Sequence, residues 1–293
     1  MQIAYHIGAH GDDEDQLLRS AQKNVGTLSE HGIVAPGPGK YRALIRTTIQ
    51  GLDGAAPAEG TRDILLDSIV EDDNITRLLL CNGNFICVAN RIFEHGVFYP
   101  QAEPKARALR GLFPDDQLTL YFGLSHPATF LQEALSRPKS ASLAEFMGIS
   151  HPEEIDWADV VRRIHAGAPD AELVVWCSED TPLVWPELLR HFTGLKHDVP
   201  LIDALAPLSG LIDPKVFAQL EQELTNDPGM RSEDIQTLIA ECWENYAVEG
   251  ADDTEIDRFE ADDAMIATLT ENYDADIAEI AKMDGVTLLL PFS

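Results

Sequence analysis

A charged loop near residue 10 contains the residues whose types and spacing point most directly to chemistry. Residues 1–8 are a short apolar run that predicts a β-strand, and residues 9–15 read Ala-His-Gly-Asp-Asp-Glu-Asp before a helical stretch. In α/β folds such a unit places backbone N–H groups and a helix N-terminus at a ligand-binding edge of the sheet. The loop therefore has the position of an anion site, but its carboxylates repel anions. Asp12 or Asp13 equally fits a helix N-cap.

Two other predicted strands end in polar side chains. Ser125 and His126 follow one of them, and Glu179 and Asp180 follow the other. A carboxylate in such a position can orient a substrate hydroxyl or act as a base. It can also cap the next helix, and the Thr-Pro pair that follows Asp180 fits that simpler role.

Strand-like apolar runs alternate with helical stretches along the chain. This alternation predicts an α/β fold in three layers, built on a mainly parallel sheet with right-handed crossovers. The five predicted strands lie near residues 2–7, 77–81, 117–123, 172–177 and 286–290.

Helical periodicity and turn residues predict the remaining elements. We expect one helix over residues 13–31, a loop over the Pro- and Gly-rich residues 32–39, and two helices at 257–270 and 274–283. The predicted domain organisation is an α/β core at 1–200, an acidic helical cap or insertion at 201–284, and a last strand returning to the core at 285–293.

The charge balance excludes two classes of partner. The chain has 21 basic and 50 acidic residues, a formal net charge of −29. Nucleic acids and anionic membrane surfaces are bound by basic patches, so neither is an expected partner. No stretch approaches the ~18 apolar residues of a transmembrane helix, no signal pattern is present, and the cysteines form no C-x-x-C pair. We therefore expect a cytoplasmic protein without membrane insertion.

Four segments lie at or near predicted strand ends and share a pattern. They are His6-Ile7-Gly8-Ala9-His10, the L-x-x-x-G-I-x-x-P-G segment at 28–37, residues 123–130, and residues 174–180, which end in a Glu-Asp pair. In this order they resemble the motifs of the bacterial sulfotransferase-like proteins of the P-loop type, which use 3′-phosphoadenylyl sulfate (PAPS). The resemblance implies a three-layer P-loop-type fold, with the PAPS site at the loop after the first strand.

The departures from the family pattern fall on the phosphate contacts. The family loop reads K-T-G-T-T and holds the 5′-phosphosulfate, whereas here Gly11 replaces the Lys and four acids follow it. The family's R-N-P arginine contacts the 3′-phosphate, and here Ser125 replaces it, with His126 in place of the Asn. Two like charges about 4 Å apart repel by ~4 kcal/mol at an effective dielectric of ~20. PAPS binding would therefore need arginines from elsewhere, and the candidates are Arg19, Arg42, Arg46 and Arg77.

The resemblance also implies a set of site residues. The cofactor-binding positions are Gly8, Ala9, His10, Gly11, Asp12, Asp13 and Ser125. The candidate catalytic residues are His10, His126 and Glu179. An active enzyme of this type would be a PAPS-dependent sulfotransferase. With PAPS binding lost or altered, we expect a divergent transferase or a binding or interaction protein with a small-molecule or protein partner.

Residues 9–14 support an alternative. The segment Ala-His-Gly-Asp-Asp-Glu resembles A-H-P-D-D-E, the opening motif of the zinc-dependent LmbE-like N-acetylglucosaminyl deacetylases, with Gly11 in place of the Pro. By this resemblance His10 and Asp13 are zinc ligands and Asp12 is the base that activates the metal-bound water. The family's third ligand is a later His, and His126 is the best substitute for it.

Overall fold

A single parallel sheet organises the computed structural model, which describes residues 1–11, 14–72, 74–136, 142–250 and 262–292. The six strands are β1 (Gln2–Gly8), β2 (Ile33–Val34), β3 (Arg77–Cys81), β4 (Gln117–Leu124), β5 (Glu172–Cys177) and β6 (Val286–Leu289). Their order in the sheet is β2-β3-β1-β4-β5-β6, and every pairing is parallel. The predicted α/β fold with a mainly parallel sheet is confirmed, with one strand more than expected.

Twelve α-helices connect or cover these strands in the described residues. They are α1 (Glu14–Lys23), α2 (Val25–Glu30), α3 (Pro38–Leu52), α4 (Thr61–Ile69), α5 (Ala102–Leu112), α6 (Pro127–Ser136), α7 (Leu143–Met147), α8 (Trp157–Gly167), α9 (Thr181–Thr193), α10 (Pro214–Asn226), α11 (Ser232–Tyr246) and α12 (Asp263–Ile280). None of the described helices is long and apolar enough to cross a membrane.

The alternation of side chains along β1 separates two helix layers. Ile3, Tyr5 and Ile7 face a core that includes side chains of α3, α4, α5, α6, α8 and α12. Ala4 faces the opposite core, which includes α1, α2 and α9. A strand covered on both faces must be apolar along its length, as parallel strands of α/β proteins are.

Three predicted elements differ from the structure. Residues 33–34 form β2 rather than a loop, because two residues suffice to pair with β3 at the sheet edge and Pro36 prevents a longer strand. The predicted helix over 13–31 breaks at Asn24, whose amide donates to the carbonyl of Ile202 (2.9 Å) and accepts from its N–H (2.8 Å). The two helices predicted between 257 and 283 are one continuous helix, α12, within the described residues.

The stretch predicted as an acidic cap contributes to both sides of the sheet. α10 and α11 pack with α9 around a small apolar cluster that includes Leu208, Leu220 and Ile239. α12 instead packs against α6 and α8 and buries Leu269 and Ile280 in the core on the other face. The assignment of residues 201–284 to one cap stays a prediction.

Arg77 joins β3 to the end of α9. It is 8% exposed. Its guanidinium donates to the carbonyls of His191 (2.9 Å) and Phe192 (3.0 Å), in the last turn of α9. It also donates to the Gln2 amide oxygen (2.7 Å) and the Tyr121 hydroxyl (3.0 Å). A cation at a helix C-terminus is favourable because the last carbonyls carry partial negative charge.

We expect Arg77→Met to lower the free energy of unfolding by about 3 kcal/mol, because it leaves buried carbonyls without their charged donor. Chemical denaturation measures this value. The matched control is Arg107→Met, which removes a 64% exposed arginine paired with Glu103 on the surface of α5. The control should change stability by no more than about 0.5 kcal/mol. Equal effects of the two substitutions would contradict the role given to Arg77.

Candidate functional site

The loop after β1 lies at a switch in the direction of the chain connections. β1 and β4 are neighbours, but α1 leaves β1 toward one face of the sheet and α6 leaves β4 toward the other. In open α/β sheets this divergence opens a crevice at the carboxyl ends of the strands, and ligands bind there. The Ala9 N–H donates to the Gly123 carbonyl (3.0 Å), which fixes the loop against β4.

His10 is held by Tyr99 and Asn84. It is 1% exposed, and its Nδ1 lies 2.7 Å from the Tyr99 hydroxyl, which also accepts from the His10 backbone N–H (3.0 Å). Its Nε2 lies 3.3 Å from the Asn84 Oδ1, an acceptor. Because the Asn84 oxygen can only accept, Nε2 is the donor in that contact, while the Tyr99 hydroxyl can donate to Nδ1 or accept from it. Both ring nitrogens therefore face protein partners, and a metal at His10 would have to displace one of them.

Gly11 lies under the Glu133 carboxylate of α6. Its φ is +98°, a conformation that L side chains rarely adopt. A Cβ built on Gly11 would lie 2.4 Å from Glu133 Oε2. A residue with a Cβ is therefore strained at this position and would have to displace the Glu133 carboxylate.

The acidic part of the loop is only partly described. Asp12 and Asp13, which were predicted to contact a cofactor or zinc, lie outside the described residues. Asp15 follows in α1 and accepts a hydrogen bond from Arg42 of α3 (2.5 Å). Arg42 also donates to the Cys81 carbonyl at the end of β3 (2.9 Å). Arg42 is thus already engaged by protein groups.

His126 is fixed by its own helix start and by α12. Its Nδ1 accepts from the Ala128 N–H (3.3 Å), so Nε2 carries the proton and donates to Thr270 Oγ1 (3.0 Å). The Thr270 hydroxyl in turn donates a hydrogen bond to the Ile266 carbonyl (2.8 Å). Partial burial lowers the pKa of His126, and the neutral ring is the form that these hydrogen bonds require.

Glu179 lies beside His126 and Tyr273. Although Glu179 keeps contact with solvent, partial removal from water raises its pKa. The neighbouring Tyr273 hydroxyl and the His126 backbone oppose this rise, while the Asp180 charge adds to it. The His126 and Tyr273 rings meet edge to face, with centroids 5.6 Å apart. A carboxyl group with a raised pKa at a strand end is suited to proton transfer.

The predicted residues fall into two groups at one edge of the sheet. His126 and Glu179 come together through Tyr273, whereas His10 is held by Tyr99. Ser125 is buried, and its carbonyl accepts from the Trp157 indole (3.0 Å).

The arginines proposed as replacement anchors lie in different places. Arg77 lies at the amino end of β3, the opposite edge, and cannot serve the loop. Arg46 lines a cavity at the carboxyl end of β3, and Arg19 is exposed on α1.

Sequence reasoning missed four residues that shape this edge. They are Tyr99, Glu133, Thr270 and Tyr273. Tyr99 lies in an irregular segment at φ +47°, and no motif marks it. Thr270 is 144 positions from His126, so no local pattern connects the two.

Within the described ranges, no group of three His, Cys, Asp or Glu side chains is placed to hold a metal ion. Asp13 lies outside these ranges, so the zinc alternative stays a prediction. No protein-family model, no curated protein and no solved structure matches this chain.

We expect Gly11→Ala to lower the free energy of unfolding by about 1–2 kcal/mol, because alanine is strained at this φ and its Cβ meets Glu133. The double variant Gly11→Ala/Glu133→Ala should regain the stability lost through the contact with Glu133. It should keep the loss that comes from backbone strain. Gly26→Ala in α2 is the matched control, since no atom lies within 4 Å of its Cβ position. The control should be neutral or slightly stabilising. Urea denaturation compares these three variants with the wild type. An unchanged free energy of unfolding for Gly11→Ala would contradict the loop conformation and the position of Glu133 over it.

Asp276 makes the contact of α12 with α8 sensitive to pH. Its carboxylate accepts from the Trp157 N–H (2.8 Å) at the start of α8. Burial raises its pKa from 3.8 to about 6, and the charges of Asp156 and Glu279 add to the rise. The folded chain thus holds this proton more tightly than the unfolded chain. The contribution of Asp276 to the free energy of unfolding falls as the pH rises from about 4 to about 6.

We expect Asp276→Asn to remove the loss of stability that Asp276 causes as the pH rises. The difference in Tm between variant and wild type should move in favour of the variant by a few degrees between pH 4 and pH 7.5. The control Glu271→Gln changes an exposed acid on the same helix, and its Tm difference should change less between these pH values than that of Asp276→Asn. A flat profile for Asp276→Asn, measured by thermal melts, would disprove the assignment.

Proposed function

We propose that this chain is a sulfotransferase-like protein that has lost PAPS binding. It acts as a binding protein for a small-molecule or protein partner at the carboxyl edge of its sheet. The proposal joins the motif resemblance to the geometry of the loop after β1.

The position of Glu133 over Gly11 carries this proposal. An anion cradle needs N–H groups and cations that face an empty space, but here a carboxylate oxygen lies where a Cβ of residue 11 would be. A phosphosulfate group about 4 Å from that carboxylate would be repelled by ~4 kcal/mol at an effective dielectric of ~20, equivalent to roughly three decades in affinity.

Arg42, which pairs with Asp15 after the loop, does not compensate for this repulsion. Arg42 is bound to Asp15 and to the Cys81 carbonyl, so its charge is already shared within the protein. Recruiting it to an anion would break an ion pair and leave Asp15 as a further repelling group. The balance favours a neutral or cationic group at this loop.

One observation favours a second candidate function, a divergent transferase. The raised pKa of Glu179, next to Tyr273 and the His126 backbone, suits a base that takes the proton from an acceptor hydroxyl. In this function Tyr273 and His126 are positioning residues, and α12 supplies part of the site.

The test of the main proposal is a titration with adenosine 3′,5′-bisphosphate, followed by thermal melts and calorimetry. We expect no rise in Tm at millimolar ligand, because a bound ligand at 100 times its Kd would add about 2.7 kcal/mol of stability. PAPS with a panel of acceptors should give no sulfate transfer.

A saturable rise of several degrees that persists in the variant Arg46→Met would overturn the proposal. Neutral adenosine is the control that separates charge repulsion from a lack of space. If Arg46→Met abolishes the rise, the bisphosphate binds at the basic cavity at the carboxyl end of β3 and not at the loop.

A further inference from the structure

A cavity at the carboxyl end of β3 differs in charge from the rest of the chain. It has a volume of about 140 Å³ and lies between α3, α5 and the segment that follows β3. Three basic residues line it, namely Arg46, Arg91 and Lys105, and none of its lining residues carries a carboxylate. In a chain with 50 acidic and 21 basic residues, this composition marks a local positive site.

The three cations differ in their ion pairing. Across the parts of the chain that the structure describes, Arg46 and Lys105 make no salt bridge, whereas Arg91 binds Glu94 through two hydrogen bonds (2.7 and 2.9 Å). Lys105 is half-buried, and burial together with the Arg91 charge lowers its pKa. Two like charges that face a common cavity repel each other, and an anion between them would remove that repulsion.

The other wall of the cavity is apolar. Ile45 and Ile49 of α3 lie on one side, and Phe85 and Ile86 lie in the segment after β3. An apolar cavity of about 150 Å³ accommodates a benzene molecule. The space is therefore suited to a ligand whose body is about the size of one aromatic ring.

We propose that this cavity binds a small organic anion, with its apolar body against Ile45, Ile49 and Phe85 and its anionic head between Arg46 and Lys105. The head is a carboxylate, a sulfate ester or a phosphate ester, which share the same recognition by Lys and Arg. This inference goes beyond the proposed function and does not depend on the loss of PAPS binding.

A hydrogen bond connects the cavity to the loop after β1. Asn84 lines the cavity, and its Oδ1 accepts from His10 Nε2. A ligand that contacts the Asn84 amide therefore acts on the same side chain that fixes the His10 ring. Anion binding should alter the environment of His10.

The experiment uses the full chain and six probes. Benzoate, phenyl phosphate and phenyl sulfate are the anions, benzyl alcohol and benzylamine are the neutral and cationic controls, and inorganic phosphate lacks the apolar body. We expect calorimetry to show saturable binding of at least one aromatic anion, at least tenfold tighter than the other two aromatic probes and inorganic phosphate. The affinity should fall as salt concentration rises. The order of the affinities for the three aromatic anions identifies the preferred head group.

Variants locate the binding. Lys105→Met and Arg46→Met should each weaken the preferred anion at least tenfold, while Lys215→Met, which removes an exposed lysine on α10, should leave the affinity unchanged. Thermal melts without ligand confirm that the variants fold, and Lys105→Met should not lower Tm because it removes a repulsion with Arg91.

Nuclear magnetic resonance of the His10 ring gives an independent readout, and saturation with the anion should shift its signals. Absence of binding by every anion, equal binding of benzyl alcohol, or an affinity that neither cavity variant changes would overturn the proposal.

Discussion

The central position of β1 is the constraint on which the rest of the structure depends. β1 pairs with β3 on one side and with β4 on the other, and side chains cover both of its faces. A strand held in this way has no freedom to shift, so the loop that follows it must emerge in the middle of the carboxyl edge. Because α1 and α6 leave to opposite faces, this loop lies in the crevice where α/β folds bind ligands.

Electrostatics divides this edge of the sheet into two regions. Around the loop, Glu133 lies over Gly11, and Arg42 is paired with Asp15. At the end of β3, joined to the loop through the contact of His10 with Asn84, Arg46 and Lys105 line a cavity whose lining residues include no carboxylate. Arg46 and Lys105 make no salt bridge within the described residues, and they give this cavity its positive charge in an otherwise acidic protein.

Helix α12 completes the site from a distant part of the chain. It places Thr270 and Tyr273 against His126 and Glu179, and it packs on α8 through the contact between Asp276 and Trp157. The acidic stretch before β6 is therefore part of the site's architecture on one face, while α10 and α11 extend the other face. This arrangement lets one segment between two strands influence both sides of the sheet.

The sequence by itself determined the parallel α/β fold, five of the six strands, and the placement of His126 and Glu179 at strand ends. These features depend on local apolar periodicity, which is visible along the chain. Only the tertiary structure decided the strand order, the two-residue β2, the partners of His10, and the approach of Glu133 to Gly11. The physical reason is that these contacts join residues far apart in the chain: Tyr99 is 89 positions from His10, and no local pattern records such a pairing. The loop after β1 was recognisable from its residues, but its charge environment was set by side chains that other elements bring to it.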